Sequence, residues 1–214
     1  MSFNVDHKFI DKLSQRLKDP LPGEEAQYVM AASHRGKKDF KLKFEEVPRE
    51  SSVLILLFRK EDNLFFPLIQ RPQYNGVHSG QIGLPGGKVE EDDKDRVATA
   101  LRETQEEIGV DVSHAEVIGV LSELHVQASN FNVLPVVAFI DFIPRYVPDP
   151  EEVSDVIEGR VSDLLDVHNR KEKELLVRNK YKIQAPYFDI NHEMVWGATA
   201  MILNEFTTII KEIK

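Results

Sequence analysis

Gly86-Gly87-Lys88-Val89-Glu90, then Asp93, then Arg102-Glu103-Thr104-Gln105-Glu106-Glu107-Ile108-Gly109-Val110 is the stretch on which the reading of this 214-residue chain turns. Its second half has a helical period. At about 100° per residue, Val97, Leu101, Thr104 and Ile108 fall on one narrow stripe, and Glu103, Glu106 and Glu107 share a sector of about 100° on the opposite side. The spacing predicts a helix from about Asp95 to Ile108, ended by Gly109 as its C-cap residue. Glu103 and Glu107 are four apart, so they stack on adjacent turns and repel. By itself this is the ordinary solvated acidic face of a surface helix. A hard divalent cation changes the balance, because Mg²⁺ takes oxygen ligands and few protein carboxylates, with substrate phosphates completing its shell. The two glycines upstream let the backbone turn tightly and come close to a ligand or metal. Arg102, with its fixed fork of donors, is placed to hold a neighbouring carboxylate in one rotamer.

Outward from this helix the chain alternates irregularly between strands and helices. Ser52 to Phe58 is a continuous apolar run of strand length, and Leu64 to Ile69 follows after the turn-like Glu61-Asp62-Asn63. The two predict a hairpin, with Pro67 pushing the second strand toward an edge or a bulge. Asn75 to Gly87 reads as a glycine-punctuated loop. Downstream, Val117 to Leu121 and Val133 to Ile140 read as strands, Glu151 to Leu165 as helical in part, Tyr187-Phe188 as a short strand, and Trp196 to Ile213 as a closing helix. Near the start, Phe3, Phe9, Ile10, Leu13 and Leu17 lie at helical spacing, and Asp19-Pro20-Leu21-Pro22-Gly23 ends that helix. Residues 24 to 50 are charged and irregular and receive no assignment. The pattern implies an α+β fold, an α-β-α sandwich in which helices flank a mixed sheet.

Composition bounds what such a chain does. With 42% hydrophobic residues it builds one core and a short accessory element, not two full-sized domains. A net charge of −9 argues against a general nucleic-acid binder, since phosphate backbones are held by clustered Lys and Arg. A small phosphorylated substrate remains open if a cation bridges the like charges. There is no cysteine, hence no disulfide and no thiolate metal site. No apolar run approaches membrane-spanning length, and the N-terminus lacks the features of a signal peptide. The expectation is a cytoplasmic protein without membrane association.

The glycine pair, Asp93 and Arg102-Glu103-x-x-Glu106-Glu107-x-Gly109 together resemble the Nudix box. Two departures stand out: one extra residue separates Asp93 from Arg102, and Thr104 occupies a position that is usually aliphatic. Upstream, Leu68-Ile69-Gln70-Arg71-Pro72, His78-Ser79-Gly80-Gln81 and Leu84-Pro85-Gly86-Gly87 resemble the signature of coenzyme A pyrophosphatases, a family in which the longer spacing is familiar. Val133-Leu134-Pro135-Val136-Val137, Pro150-Glu151-Glu152-Val153 and Trp196 to Leu203 extend the similarity over most of the chain from about residue 50. Pro72 in place of serine and Leu84 in place of phenylalanine bear on substrate preference more than on chemistry.

The resemblance implies a Nudix fold over residues 49–214, preceded by an N-terminal helix and extension over 1–48. It also implies metal-dependent hydrolysis of coenzyme A or a derivative to 3′,5′-ADP and 4′-phosphopantetheine. In that reading Glu103 and Glu107 hold Mg²⁺ or Mn²⁺, Glu106 and the Gly87 carbonyl assist, and Arg102 supports the catalytic glutamates. Arg71, Lys88 and His78 are the candidates for substrate contact, although a surface salt bridge accounts equally for the first two and a structural role for His78. Asn130 and Phe131 either line a pocket or belong to the core. The partner is a small-molecule nucleotide; a homodimer is an assembly such folds often adopt, but no residue points to one. Two alternatives stay open: hydrolysis of ADP-ribose or a dinucleotide, and a catalytically silent nucleotide-binding domain.

Overall fold

The structure is a computed structural model and describes residues 7–32, 47–73, 79–177 and 181–213. Phe3 and His78 lie outside the described residues. The chain begins with helices α1 (His7–Arg16) and α2 (Gly23–Tyr28), followed by strands β1 (Arg49–Lys60), β2 (Asn63–Gln70), β3 (Ile82–Gly83) and β4 (Gly86–Lys88). Helix α3 (Arg96–Ile108) comes next, then β5 (Glu116–Val120), β6 (Leu124–Val126), β7 (Phe131–Ile140) and β8 (Asp155–Arg160). Helix α4 (Val161–Leu165), a 3₁₀ turn at Val167–Asn169, strands β9 (Arg170–Val177), β10 (Tyr181–Ile190) and β11 (Glu193–Trp196), and helix α5 (Gly197–Ile213) complete the chain.

Eight strands form one mixed sheet along the path β3-β2-β1-β7-β5, with β4 on β1, β6 on β7 and β8 on β2. The β1–β7 pair is parallel over ten residues, and the other pairs are antiparallel. A strand buried on both faces reads as a continuous apolar run, and β1 is such a strand. Ile55 and Leu57 face a cluster built with α1, α5 and the second sheet, whereas Leu54, Leu56 and Phe58 face a cluster that includes Ala100 and Ile108 of α3. The flanked mixed sheet is therefore as expected. The β1–β2 pairing runs from Lys60↔Asn63 to Phe58↔Phe65 and stops short of Pro67, whose missing N–H costs that ladder nothing.

Three expectations need refinement in extent. Of Glu151 to Leu165, expected to be helical in part, Val161–Leu165 is helical, whereas Asp155–Arg160 is strand β8, paired with β2 over six residues. Gly159 explains part of this: a Cβ there would lie 2.8 Å from the Phe66 ring, so the strand packs closely on β2. Tyr187-Phe188 belongs to a ten-residue strand in a second, antiparallel sheet ordered β11-β10-β9. The closing helix begins at Gly197, because Trp196 still pairs with Tyr187 in that sheet. No helix among the described residues is long and apolar enough to cross a membrane.

Candidate active site

Helix α3 is fixed at both ends before its carboxylates enter the picture. Asp95 caps the start, accepting the Ala98 N–H at 2.8 Å. Arg96 donates to the Ser51 and Asn132 carbonyls, which ties the first turn to β1 and β7. At the other end Gly109 adopts a left-handed conformation, φ 67°, and its N–H reaches the Gln105 carbonyl. The last carbonyls, otherwise without partners in a helix, are met by the loop before β8: Val147 N–H reaches Ile108 at 2.9 Å and Asp149 N–H reaches Glu107 at 3.0 Å. The same bonds bring Glu152 alongside the helix.

The three glutamates do not share one solvated face. The Glu107 side chain is 2% exposed, that of Glu103 14% and that of Glu106 56%, so the sector is graded from core to solvent. Glu107 turns inward to the glycine turn, where one carboxylate oxygen accepts the Gly86 N–H at 2.7 Å and the other lies 3.6 Å from the Arg71 guanidinium. Arg71 also donates to the Gly86 carbonyl at 3.3 Å. Both polar groups of Gly86 are thus engaged. Only glycine fits here, since a Cβ would sit 2.3 Å from the Ser52 carbonyl oxygen and φ is +147°. At Gly87 the constraint is softer: a Cβ would fall 2.3 Å from the Glu103 carboxylate, the movable end of its side chain, so that carboxylate lies directly against the backbone of the turn.

Arg102 organises the outer part of the site. Its fork holds Asp93 at 2.9 and 3.0 Å, Glu106 at 2.7 Å, Glu103 at 3.0 Å and the Lys88 carbonyl at 3.2 Å. Asp93 also accepts from the Thr99 hydroxyl and the Glu90 N–H. The longer spacing between Asp93 and Arg102 leaves their bond intact. Hydrogen bonding to Arg102 holds Asp93 well below the usual carboxylate range, and Asp93 in turn raises Arg102. Thr104 is fully buried, its hydroxyl satisfied by the Ala100 carbonyl at 2.7 Å, so it packs where an aliphatic residue would.

The electrostatics run the other way at the inner carboxylates. Burial pushes Glu107 up to about 7, with Arg71 and the Gly86 N–H pulling it down and the charges of Glu103 and Glu152 adding to the rise. Burial also raises Glu103, against the pull of Arg102 and with further repulsion from Glu106 and Glu152. Glu152 is the member of this group to which sequence reasoning gave no role. Its signal was the Pro150-Glu151-Glu152-Val153 run, and only the loop's bonds to α3 reveal why it matters. Among the described residues no three acidic or histidine side chains already enclose a single point. The donors present are all oxygens, two carboxylates beside a glycine turn with an excess of negative charge around them, and that set suits a hard divalent cation with few protein ligands.

The remaining candidates are placed as follows. Lys88 is exposed at the end of β4, opposite Ser51 on β1. Phe131 lies under the Arg49 guanidinium, 4.1 Å from ring centroid to Cζ, and is partly buried against the larger apolar cluster. Asn130 is buried in a left-handed turn, φ 54°.

A sequence profile of the NUDIX domain matches residues 48–184. The chain is similar to Nudix hydrolase 15, mitochondrial, of Arabidopsis thaliana, 36% identical over 173 residues that cover 77% of this chain and 60% of that protein. It is also similar to mitochondrial coenzyme A diphosphatase NUDT8 of Mus musculus, 35% identical over 129 residues, 59% of this chain and 61% of that one. The chain thus spans about three-fifths of the length of each of these two relatives. Among solved structures, a Nudix hydrolase from M. smegmatis, RenU, superposes with a TM-score of 0.51 at 12% identity, covering 78% of this chain and 89% of that one, a likeness of fold alone. With more than half its length matched by that profile, and with the glycine turn and the carboxylates of α3 assembled as described, this chain belongs to the Nudix family.

Proposed function

We propose that this chain is a divalent-cation-dependent hydrolase of a diphosphate linkage in a nucleoside diphosphate derivative, and that coenzyme A or one of its derivatives is the substrate. The observation that carries the hydrolase reading is the pair of desolvated carboxylates, Glu103 and Glu107, held against the Gly86-Gly87 turn with more negative charge than nearby cations neutralise. A fold has no structural use for that surplus. A cation and an anionic substrate resolve it together.

In this reading Glu103, Glu107 and the Gly87 carbonyl hold Mg²⁺ or Mn²⁺, with Glu106 at the exposed margin. A divalent cation supplies two things there, neutralisation of the diphosphate charge and acidification of water. Arg102 keeps Glu103 and Glu106 in place and is itself anchored by Asp93. Glu152, exposed on the neighbouring loop, acts by its charge on both Glu103 and Glu107, and it is our candidate for the group that takes a proton from water. Arg71 reaches Gly86 and Glu107, so its first role is to orient the inner carboxylate. Lys88, exposed beside the turn, remains the candidate for a substrate phosphate.

The coenzyme A assignment rests on the upstream signature around Arg71 and on the similarity to a coenzyme A diphosphatase. The test is incubation of the purified protein with coenzyme A, ADP-ribose and a dinucleotide in Mg²⁺ or Mn²⁺, with products separated by mass. Release of 3′,5′-ADP and phosphopantetheine, abolished by chelator, is the expected result. Cleavage of the other two substrates alone would discard coenzyme A and keep the chemistry; cleavage of none would discard both.

A further inference from the structure

The carboxylates lie on one face of the main sheet, and the other face of the same strands carries two cations without ion-pair partners. Glu103 lies against the Cα of Gly87, so the acidic cluster is on the α3 side of β4. Successive side chains of a strand point to opposite faces, and Lys88, the next residue, stands opposite Ser51 of β1 on the face away from α3. Arg49 shares that face, two residues back along β1. Phe131 of β7 is the register partner of Arg49 and packs, with Val53 and Val133, in the cluster on that face. Lys88, Arg49 and Phe131 therefore form a row across β4, β1 and β7. Lys88 and Arg49 are diagonal neighbours, about 7–8 Å apart at the backbone and within reach of one ligand for side chains so long.

The acidic residues nearby are engaged elsewhere or stand apart. Glu50, between Arg49 and Ser51, faces α3, where Arg96 holds it at 2.8 Å and the Asn132 amide reaches it at 3.2 Å. Glu123 is held by the same arginine, and Glu90, exposed just beyond β4, pairs with neither cation. In a chain of net charge −9, Arg49 and Lys88 thus form no ion pair among the described residues. Arg49 is also held in one attitude. Its guanidinium lies 4.1 Å above the Phe131 ring, one Nη donates to the Ser129 carbonyl at 3.2 Å, and its backbone N–H reaches the Asn130 carbonyl at 2.9 Å. Tying down the turn before β7 needs only the backbone bond and one Nη. The remaining donors lie in a plane fixed by the ring, an arrangement suited to bidentate binding of a phosphate.

The row begins at the turn where the proposed cation and diphosphate meet. Gly87 is opposite Ser52, three residues from Arg49, or about 10 Å along the strand. Among the described residues β4 pairs with no strand but β1, so no strand closes the outer edge between the two faces. A nucleoside whose diphosphate rests at Gly87 carries a phosphate on its sugar toward Lys88 and Arg49.

Building on the coenzyme A reading above, we infer that Arg49, positioned by Phe131, binds a phosphate monoester on the substrate's ribose, separate from the diphosphate that is cleaved. Lys88 lies between the two phosphate positions. Arg49 is then the residue that selects coenzyme A over nucleotides lacking that group. The experiment compares kcat/KM of the whole chain on coenzyme A and on dephospho-coenzyme A, which differ by that phosphate alone, in Mg²⁺. Both values come from one preparation, so their ratio cancels the folded fraction and is blind to a merely structural defect. The wild-type chain is expected to favour coenzyme A by about tenfold to hundredfold, as one or two charge-assisted hydrogen bonds would give. Arg49→Gln lowers that ratio by about tenfold or more, chiefly through the KM for coenzyme A. Arg49→Lys, which keeps the charge without the stacked fork, recovers part of it, and Phe131→Leu, which removes only the support, lowers it less. A wild-type chain that cleaves both compounds equally well, or a preference that Arg49→Gln leaves intact, overturns the inference and leaves the coenzyme A reading standing. Cleavage of neither compound, with another diphosphate cleaved, discards that reading and this inference together.

Discussion

Glu107 on α3 and Glu205 on α5 are both almost completely removed from solvent, at 2% and 0% exposure, and their surroundings are opposite in kind. Glu205 gathers donors from separate parts of the chain: the Gly23 N–H at 3.0 Å, the Gln27 amide at 2.8 Å and the Ser122 N–H at 3.3 Å. Together they pin α2 and the β5–β6 connection onto α5, beside Asn204, which donates to the Ala26 carbonyl at 2.6 Å. Glu107 has one backbone N–H, one guanidinium at 3.6 Å, and two further carboxylates, Glu103 and Glu152, acting on it. Desolvating a charge is unfavourable unless compensated. At Glu205 the fold supplies the compensation itself. At Glu107 it supplies less, and that contrast sets a carboxylate that ties the fold together against the one we propose as a cation ligand.

The sharpest way to break the contrast is to neutralise the two in parallel. Glu107→Gln keeps the shape and an acceptor for the Gly86 N–H but removes the charge, and turnover on the diphosphate substrate is expected to fall by at least roughly 10²–10³-fold. Steady-state assays of the folded variant check this, and near-normal turnover would remove Glu107 from the site. Glu205→Ala strands three donors on α2 and the β5–β6 connection, each costing about 1–3 kcal/mol, so a loss of about 3 kcal/mol in urea-unfolding stability is expected with turnover per folded molecule preserved. A loss below about 1 kcal/mol would mean that the donors find other partners and that Glu205 is not the tie it resembles.

A second effect follows from the position of Glu107 near 7. A carboxyl raised in the folded protein holds its proton there after the unfolded chain has released its own, so between about 4.5 and 7 stability falls as pH rises. In metal-free protein the full cost of the charged form, on the order of 3 kcal/mol, is present above pH 7 and relieved as pH falls toward 4.5. Thermal unfolding with chelator at several pH values should show this slope, and Glu107→Gln should abolish most of it while stabilising the protein at pH 8. Wild-type and variant slopes that coincide would place the raised group elsewhere.

Legibility in the sequence followed the same physical division. The α3 helix was readable because its stop signal and apolar stripe are local, and β1 because a strand buried on both faces is apolar throughout. The second sheet was not readable. β9 consists largely of alternating lysine and glutamate, which carries no apolar period, and it is a strand because β10 pairs with it. Glu151 to Leu165 is helical in part, at Val161–Leu165, but strand β8 within it was not readable because its pairing with β2, close against Phe66, is non-local. In the proposed site, helical angles alone put all three glutamates in one sector. Their grading by burial comes from the Gly86-Gly87 turn, which meets α3 only after folding. The tie through Glu205 had no sequence signal, since the Gly23, Gln27 and Ser122 donors are remote from it in the chain.

The smallest predicted effect sharpens the comparison within the site. Glu106 shares the helical sector of Glu103 and Glu107, yet its carboxylate is half exposed and its partner is Arg102 at 2.7 Å. An exposed pair of this spacing contributes about 0.5 kcal/mol or less, and Arg102 stays anchored by both of its bonds to Asp93 when the pair is lost. Glu106→Gln is therefore expected to leave stability within about 0.5 kcal/mol of wild type and to lower turnover by no more than about tenfold, a loss of Arg102 ordering transmitted to Glu103. Parallel kinetics of the three single Glu→Gln variants give the ranking directly. If Glu106→Gln fell as far as Glu107→Gln, helical sector rather than burial would decide which carboxylates do the work, and the desolvated, under-compensated state of Glu107 would lose its meaning as the mark of the site.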